Sequence, residues 1–323
     1  MKRLLTGIAV VTGLGAGAVH AQDYPSKAIT LVAPYGAGGA SDLAARALAE
    51  SAKQYIGEPI TVENRTGAGG MVGARSVADA EADGYTVLLA RVGMILNPAV
   101  NPQTMVKADE YTYLGALEST PMILSVDGES EIESVEQLVE AIKESNGRMT
   151  YAASGATSID GFTTQALLKD AGLDPLTAAT LVPYKGGNAL ATAVMGGHVD
   201  FGAWAAGSQM GPIEAGDLKP LAVFAPERMD QLPDVPTMSE LGYETAGQIT
   251  GWSALFGPED LSEEVVAKWD EVLDKVAEDS TWLDLAEKRG SISTVGTVDV
   301  TEYAKSQFEL FNGLAKDFGY LPE

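Results

Sequence analysis

Three stretches of this chain put glycines where a strand should give way to a helix. The first is Pro34-Tyr35-Gly36-Ala37-Gly38-Gly39-Ala40-Ser41-Asp42, the second Tyr151-Ala152-Ala153-Ser154-Gly155-Ala156-Thr157-Ser158, the third Pro183-Tyr184-Lys185-Gly186-Gly187. Glycine lets backbone N–H groups turn toward a guest, and a helix start adds partial positive charge. The chemistry on offer is capture of a small anion. In the second stretch the hydroxyls of Ser154, Thr157 and Ser158 add donors, and in the third Lys185 adds charge. Each stretch also has a plainer reading: a packing turn, ordinary N-capping by Ser41 or Ser158, and a solvated lysine. Arg91 is the sharpest single residue. It follows the apolar run Tyr85–Ala90, so it stands at the carboxyl end of a strand, where ligands of open α/β sheets collect. Its planar fork suits a carboxylate, and a structural ion pair is the competing role.

Most catalytic constellations are ruled out by what is missing. There is no cysteine, so no disulfide, thiolate nucleophile or cysteine-ligated metal is available. The two histidines are His20 and His198, and no HExxH, GxSxG or GxxxxGK[ST] pattern occurs. His198 lies in Gly196-Gly197-His198-Val199-Asp200, a helix-to-strand turn at the wrong end of a sheet for a triad. Carboxylate-only catalysis survives composition, yet Asp42 is the one acid beside a glycine loop, where it suits the first turn of its helix. Gly67-Ala68-Gly69-Gly70-Met71-Val72-Gly73 has the spacing GxGxxxG, not that of a dinucleotide fingerprint, and reads as a helix-opening turn. No catalytic residue, metal site or cofactor is expected.

The elements that must position these loops alternate. Strands are expected at Ile29–Ala33, Ile60–Glu63, Tyr85–Ala90, Tyr111–Leu117, Met122–Val126, Met149–Ala153, Thr180–Pro183, Val199–Ala203, Leu218–Phe224 and Ile249–Phe256. Helices are expected at Ser41–Tyr55, Met71–Ala80, Val135–Ser145, Ile159–Ala171 and Asn188–Met195. The tail is read as helical at Ser262–Glu278, Thr281–Lys288 and Thr301–Phe318. This pattern predicts an α/β fold of mainly parallel sheets flanked by helices. A length of 323 residues without a clear linker argues for two lobes joined by crossing strands. Lobe one is expected to combine 23–124 with 248–323, and lobe two to span 125–247, because Met122–Val126 and Ile249–Phe256 are the runs best placed to cross.

Composition narrows the partners. Asp+Glu number 45 against Lys+Arg 21, a net charge of −24, which disfavours nucleic acid and anionic membrane surfaces. Lys2 and Arg3 precede an apolar run from Leu4 to Val19, and Val19-His20-Ala21 offers a cleavage site. Residues 1–21 therefore read as a secretory signal peptide, too short and glycine-rich for a spanning helix. An exported chain without cysteine fits a bacterial periplasm.

Several further motifs carry a family resemblance. Tyr24-Pro25-Ser26-Lys27 leads into the first loop; Val62-Glu63-Asn64-Arg65-Thr66-Gly67-Ala68-Gly69-Gly70, Asp83-Gly84-Tyr85-Thr86 and Asn97-Pro98 follow. Later come Val182-Pro183-Tyr184-Lys185-Gly186-Gly187, Gly196-Gly197-His198-Val199-Asp200 and Leu232-Pro233-Asp234-Val235-Pro236-Thr237. In this order they resemble the Bug, or TctC, family of periplasmic solute receptors for tripartite tricarboxylate transporters, over nearly the whole chain after residue 21. The resemblance implies a type II-like two-lobe binding protein that closes on a carboxylate and hands it to two membrane subunits, itself a monomer. It implies ligand contacts from Tyr35, Gly38, Gly39, Ala40 and Ser41 in the first loop, and from Ser154, Gly155, Ala156, Thr157 and Ser158 in the second. Lys185 and Arg91 complete the candidates. Arg91 stands where many relatives carry small hydroxyl residues, which favours a di- or tricarboxylate. An aromatic or other monocarboxylate, a sensory rather than transport role, and an exported hydrolase remain the alternatives.

Overall fold

The first strand, β1 (Ile29–Ala33), is a β-branched and apolar run stopped by Pro34. The structure, a computed structural model, describes residues 24–322, so the expected signal peptide lies outside the described residues. After β1 the chain alternates through α1 (Ala40–Ile56), β2 (Ile60–Asn64), α2 (Met71–Ala78), β3 (Thr86–Arg91), α3 (Gly93–Val100) and β4 (Tyr111–Thr120). Pro121 alone separates β4 from β5 (Met122–Asp127). A second alternating set follows: α4 (Val135–Ser145), β6 (Thr150–Ala153), α5 (Ile159–Asp170), β7 (Thr180–Pro183), α6 (Gly187–Met195) and β8 (Phe201–Ala205). It closes with α7 (Met210–Ala215), β9 (Leu218–Phe224) and α8 (Glu244–Gly247). The tail is β10 (Gly251–Pro258), α9 (Glu263–Ala277), α10 (Ser280–Lys288), β11 (Ile292–Ser293) and α11 (Val300–Asp317).

Two sheets result, ordered β11-β4-β10-β3-β1-β2 and β7-β6-β8-β5-β9. They are mixed, not mainly parallel as the alternation predicts. β1 runs parallel to β2 and β3, and β6 parallel to β7 and β8. β10 runs antiparallel to β3 and β4, and β5 antiparallel to β8 and β9. The reason is connectivity. Parallel neighbours need a crossover of a dozen or more residues, usually a helix. β5 instead enters its sheet straight from β4 across one proline.

Successive residues of β3 point to opposite faces, and both faces are buried. Val87 and Leu89 join Leu31, Leu48, Trp269 and Trp282 under α1, α9 and α10. Leu88 and Ala90 join a larger core that continues to Leu124, Phe201 and Trp204 of the second sheet. The last helix touches both halves. Asn312 donates to the Ala99 carbonyl of α3 at 3.0 Å, while Phe311 meets Phe162 of α5 edge-on at 6.0 Å. Phe318 packs against Phe162, and Lys169 pairs with Asp317.

Candidate functional site

A cavity of about 560 Å³ opens where the carboxyl ends of parallel strands from both sheets meet. The turn after β1 contributes Gly38, Gly39 and Ala40, and β3 contributes its last residue, Arg91. From the second sheet come Lys185, Gly186, Gly187 and Asn188 after β7, and Gly207 and Ser208 after β8. Glu118, Thr120, Arg289 and Ser291 complete the wall. A second cavity of about 500 Å³, between α3 and α11, is walled mainly by apolar groups such as Pro98, Tyr113 and Phe308. Among the described residues no cluster of acids and histidines could hold a metal ion.

The first loop borders the cavity at an uncapped helix start. The N-cap of helix α1 is Gly39, which has no side chain to cap the first-turn N–H groups. The N–H groups of Ala40, Ser41 and Asp42 make no hydrogen bond within the described residues. The loop is fixed from behind by Asp42, whose carboxylate accepts from Gly38 N–H at 2.9 Å, Asn64 Nδ2 at 3.0 Å and Arg46 Nε at 3.0 Å. Asn64 also donates to the Tyr35 carbonyl at 2.9 Å. Asp42 is thus a brace and not only a first-turn charge. The Arg46 guanidinium, then the Gly38 N–H and the Asn64 amide, hold its carboxyl down at about 2. Tyr35 does not line the cavity, and burial raises its phenol above the usual range while Arg91 opposes that shift. The Ser41 hydroxyl is buried without a hydrogen-bond partner.

In the second loop the side chains of Ser154 and Ser158 are engaged locally, while the N–H groups of Gly155, Ala156 and Thr157 make no hydrogen bond within the described residues. Ser154 donates through N–H and hydroxyl to Asp160 Oδ2 at 2.7 and 2.6 Å. Ser158 caps α5 by accepting from Gly161 N–H and donates its own hydroxyl to the Gly155 carbonyl. None of Ser154, Gly155, Ala156, Thr157 and Ser158 lines the cavity. The third loop does. The N-cap of helix α6 is Gly186, again without a side-chain cap, and Lys185 stands exposed beside it. Two uncapped helix starts, α1 and α6, therefore border one cavity.

Arg91 does not stand alone. Its Nη2 donates to Thr120 Oγ1 at 2.8 Å, and its Nη1 lies 3.9 Å from Glu118 Oε1. Glu118 Oε2 accepts from Arg289 Nη2 at 2.7 Å. The Thr120 and Ser291 hydroxyls are 3.2 Å apart. Sequence reasoning missed Glu118, Thr120, Arg289 and Ser291. Arg289 in Lys288-Arg289-Gly290 reads as basic charge complementing a helix C-terminus.

The comparisons settle the family. The model of the tripartite tricarboxylate transporter family receptors, TctC, matches residues 44–305. The chain belongs to this family of solute-binding receptors. A UPF0065 protein of the TAR-I ttuE-ttuC' intergenic region of Agrobacterium vitis is 31% identical over 285 residues, covering 88% of this chain and 79% of that protein. The structure of the periplasmic binding protein BugD, 26% identical, superposes with a TM-score of 0.77 over 92% of this chain and 99% of BugD. MatC from Rhodopseudomonas palustris with bound malate shares the fold at 23% identity, with a TM-score of 0.76 over 90% of this chain and 100% of MatC. TctC receptors are periplasmic binding proteins and not enzymes, and the two-sheet α/β architecture is theirs.

Proposed function

We propose that this receptor binds a small organic di- or tricarboxylate in the cavity between its sheets. The expected lobes, 23–124 plus 248–323 and 125–247, close over it, with the first crossing moved back to Pro121 because all of β5 from Met122 onward pairs within the second sheet. The loaded monomer docks on two membrane subunits of a tripartite transporter. Export through the leader at 1–21 puts it in the periplasm. The observation that carries the reading is the cavity itself: two uncapped helix starts and the Arg91 fork on one void. Malate, seen in MatC, belongs to the same class. The acidic surface does not forbid an anion, because repulsion fades over about 8–10 Å while donors act at contact.

A second reading has its own support. Arg91 already has Thr120 and Glu118 beside it, so a monocarboxylate held by the helix starts alone would leave that cluster unchanged. Calorimetry on a panel of mono-, di- and tricarboxylates separates the two. Arg91→Ala should weaken a di- or tricarboxylate by about 2–5 kcal/mol, the range for removing one side of a buried charge pair. Arg91→Lys should restore part of that, lacking the fork. If Arg91→Ala lowers only the melting temperature and leaves affinity within about threefold, Arg91 is structural and the monocarboxylate reading stands.

A further inference from the structure

We propose that Glu118 sets how many carboxylates the cavity accepts, by acting as a built-in carboxylate of the site. The proposal rests on the reading of this cavity as a carboxylate pocket. Glu118 of β4 pairs across the sheet with Ser253 of β10, which pairs with Arg91 of β3, so the three stand in one rung. The Glu118 side chain is 1% exposed, Arg289 12% and Arg91 18%, and all three border the cavity. Arg289 grips one oxygen of Glu118 at 2.7 Å. The other oxygen, Oε1, has no hydrogen-bond partner, and neither has Arg289 Nε. A buried ionic network with unspent donors and acceptors is incomplete.

Charge counting says what completes it. Two guanidiniums against one carboxylate leave one surplus positive charge in a wall shielded from water. Lys185 and Lys288 also border the cavity but are exposed, where salt and solvent screen them. One distal ligand carboxylate neutralises the surplus. Two would leave an unpaired negative charge in a poorly hydrated wall, which is costly. With one carboxylate held at the helix starts, the site suits a dicarboxylate and rejects a tricarboxylate. Without the Glu118 charge, the same wall would hold two distal carboxylates.

The test uses glutarate and propane-1,2,3-tricarboxylate, which differ only by the central carboxylate, with both fully ionised. Calorimetry on the full mature protein should give tighter binding of glutarate. Glu118→Gln keeps the shape and should shift the ratio of dissociation constants toward the triacid by about tenfold or more. Glu118→Met removes the same charge with a side chain of similar length and suits a buried wall, so it should shift the ratio the same way where Glu118→Gln fails to fold. A wild-type ratio in whichever of the two variants folds would overturn the role of Glu118 alone. Failure of the wild-type protein to bind either acid would overturn the carboxylate pocket as well.

Discussion

Asp42 shows how one side chain can prepare a site it never enters. Its carboxylate collects the Gly38 N–H, the Asn64 amide and the Arg46 guanidinium, and so locks the loop that borders the cavity. Removing it leaves a backbone donor and an amide unanswered, a loss of about 1–3 kcal/mol. Asp42→Ala should therefore lower the melting temperature and weaken ligand binding together. The acid limb follows from the same contacts. With the folded carboxyl at about 2 against an ordinary 3.8, its contribution is complete above the ordinary value and drains away as pH falls toward 2. Melting curves between neutral and acid pH should be steeper below pH 4 for the wild type than for Asp42→Asn. At this scale the sequence was half legible. Arg91 at the end of an apolar strand could be read, because strand ends are local. Its neighbours could not, because Glu118 and Arg289 meet across 171 residues and each looks like any surface charge.

Among the elements, the strand-turn-helix units were legible and their use was not. All three glycine turns open helices, as their composition dictates. What composition cannot say is which turn keeps its side-chain donors. Ser154 and Ser158 spend theirs on Asp160 and Gly155, whereas the turn at Gly186 has no side-chain acceptor of its own. Helix α3 escaped notice because it carries Gly93 and Pro98, poor helix formers, and owes its place to packing against α11. The start of α6 is the element most open to test. A Cβ on Gly187 would lie 2.2 Å from Ser208 Oγ, and that hydroxyl accepts from the Trp204 indole at 3.1 Å. Gly187→Ala should push Ser208 aside and cost about 1–3 kcal/mol of stability, read by thermal denaturation. An unchanged melting temperature would mean that the turn absorbs the methyl group freely.

Over the whole molecule, the two sheets also meet through backbone. The turn after β8 is wedged against the link between sheets: Ala206 N–H donates to the Pro121 carbonyl at 2.9 Å, and a Cβ on Gly207 would meet the Arg289 carbonyl at 2.3 Å. Nothing but glycine fits there without moving one sheet against the other. Gly207→Ala should loosen this seam. Small-angle scattering should then show a larger radius of gyration, and carboxylate affinity should fall. Equal scattering and equal affinity would show that the seam yields elsewhere. The two-sheet alternation behind this seam was visible in the sequence; the antiparallel entry of β5 and β10 was not, since strand direction depends on which strands meet.

Beneath the wall of the cavity lies a feature with an optical consequence. The Arg289 guanidinium sits over the ring of Trp282 at 5.5 Å, and the buried indole is tethered by its N–H to Ser293 at 2.8 Å. An indole held this rigidly emits at a wavelength that follows the local electric field. A ligand charge arriving beside Arg289 changes that field without touching the ring. If the proposed carboxylate binds there, occupancy should shift the tryptophan emission of unlabelled protein, and an unchanged spectrum at saturation would place the ligand away from Arg289. Comparison with Trp282→Phe would separate this signal from that of the other three indoles.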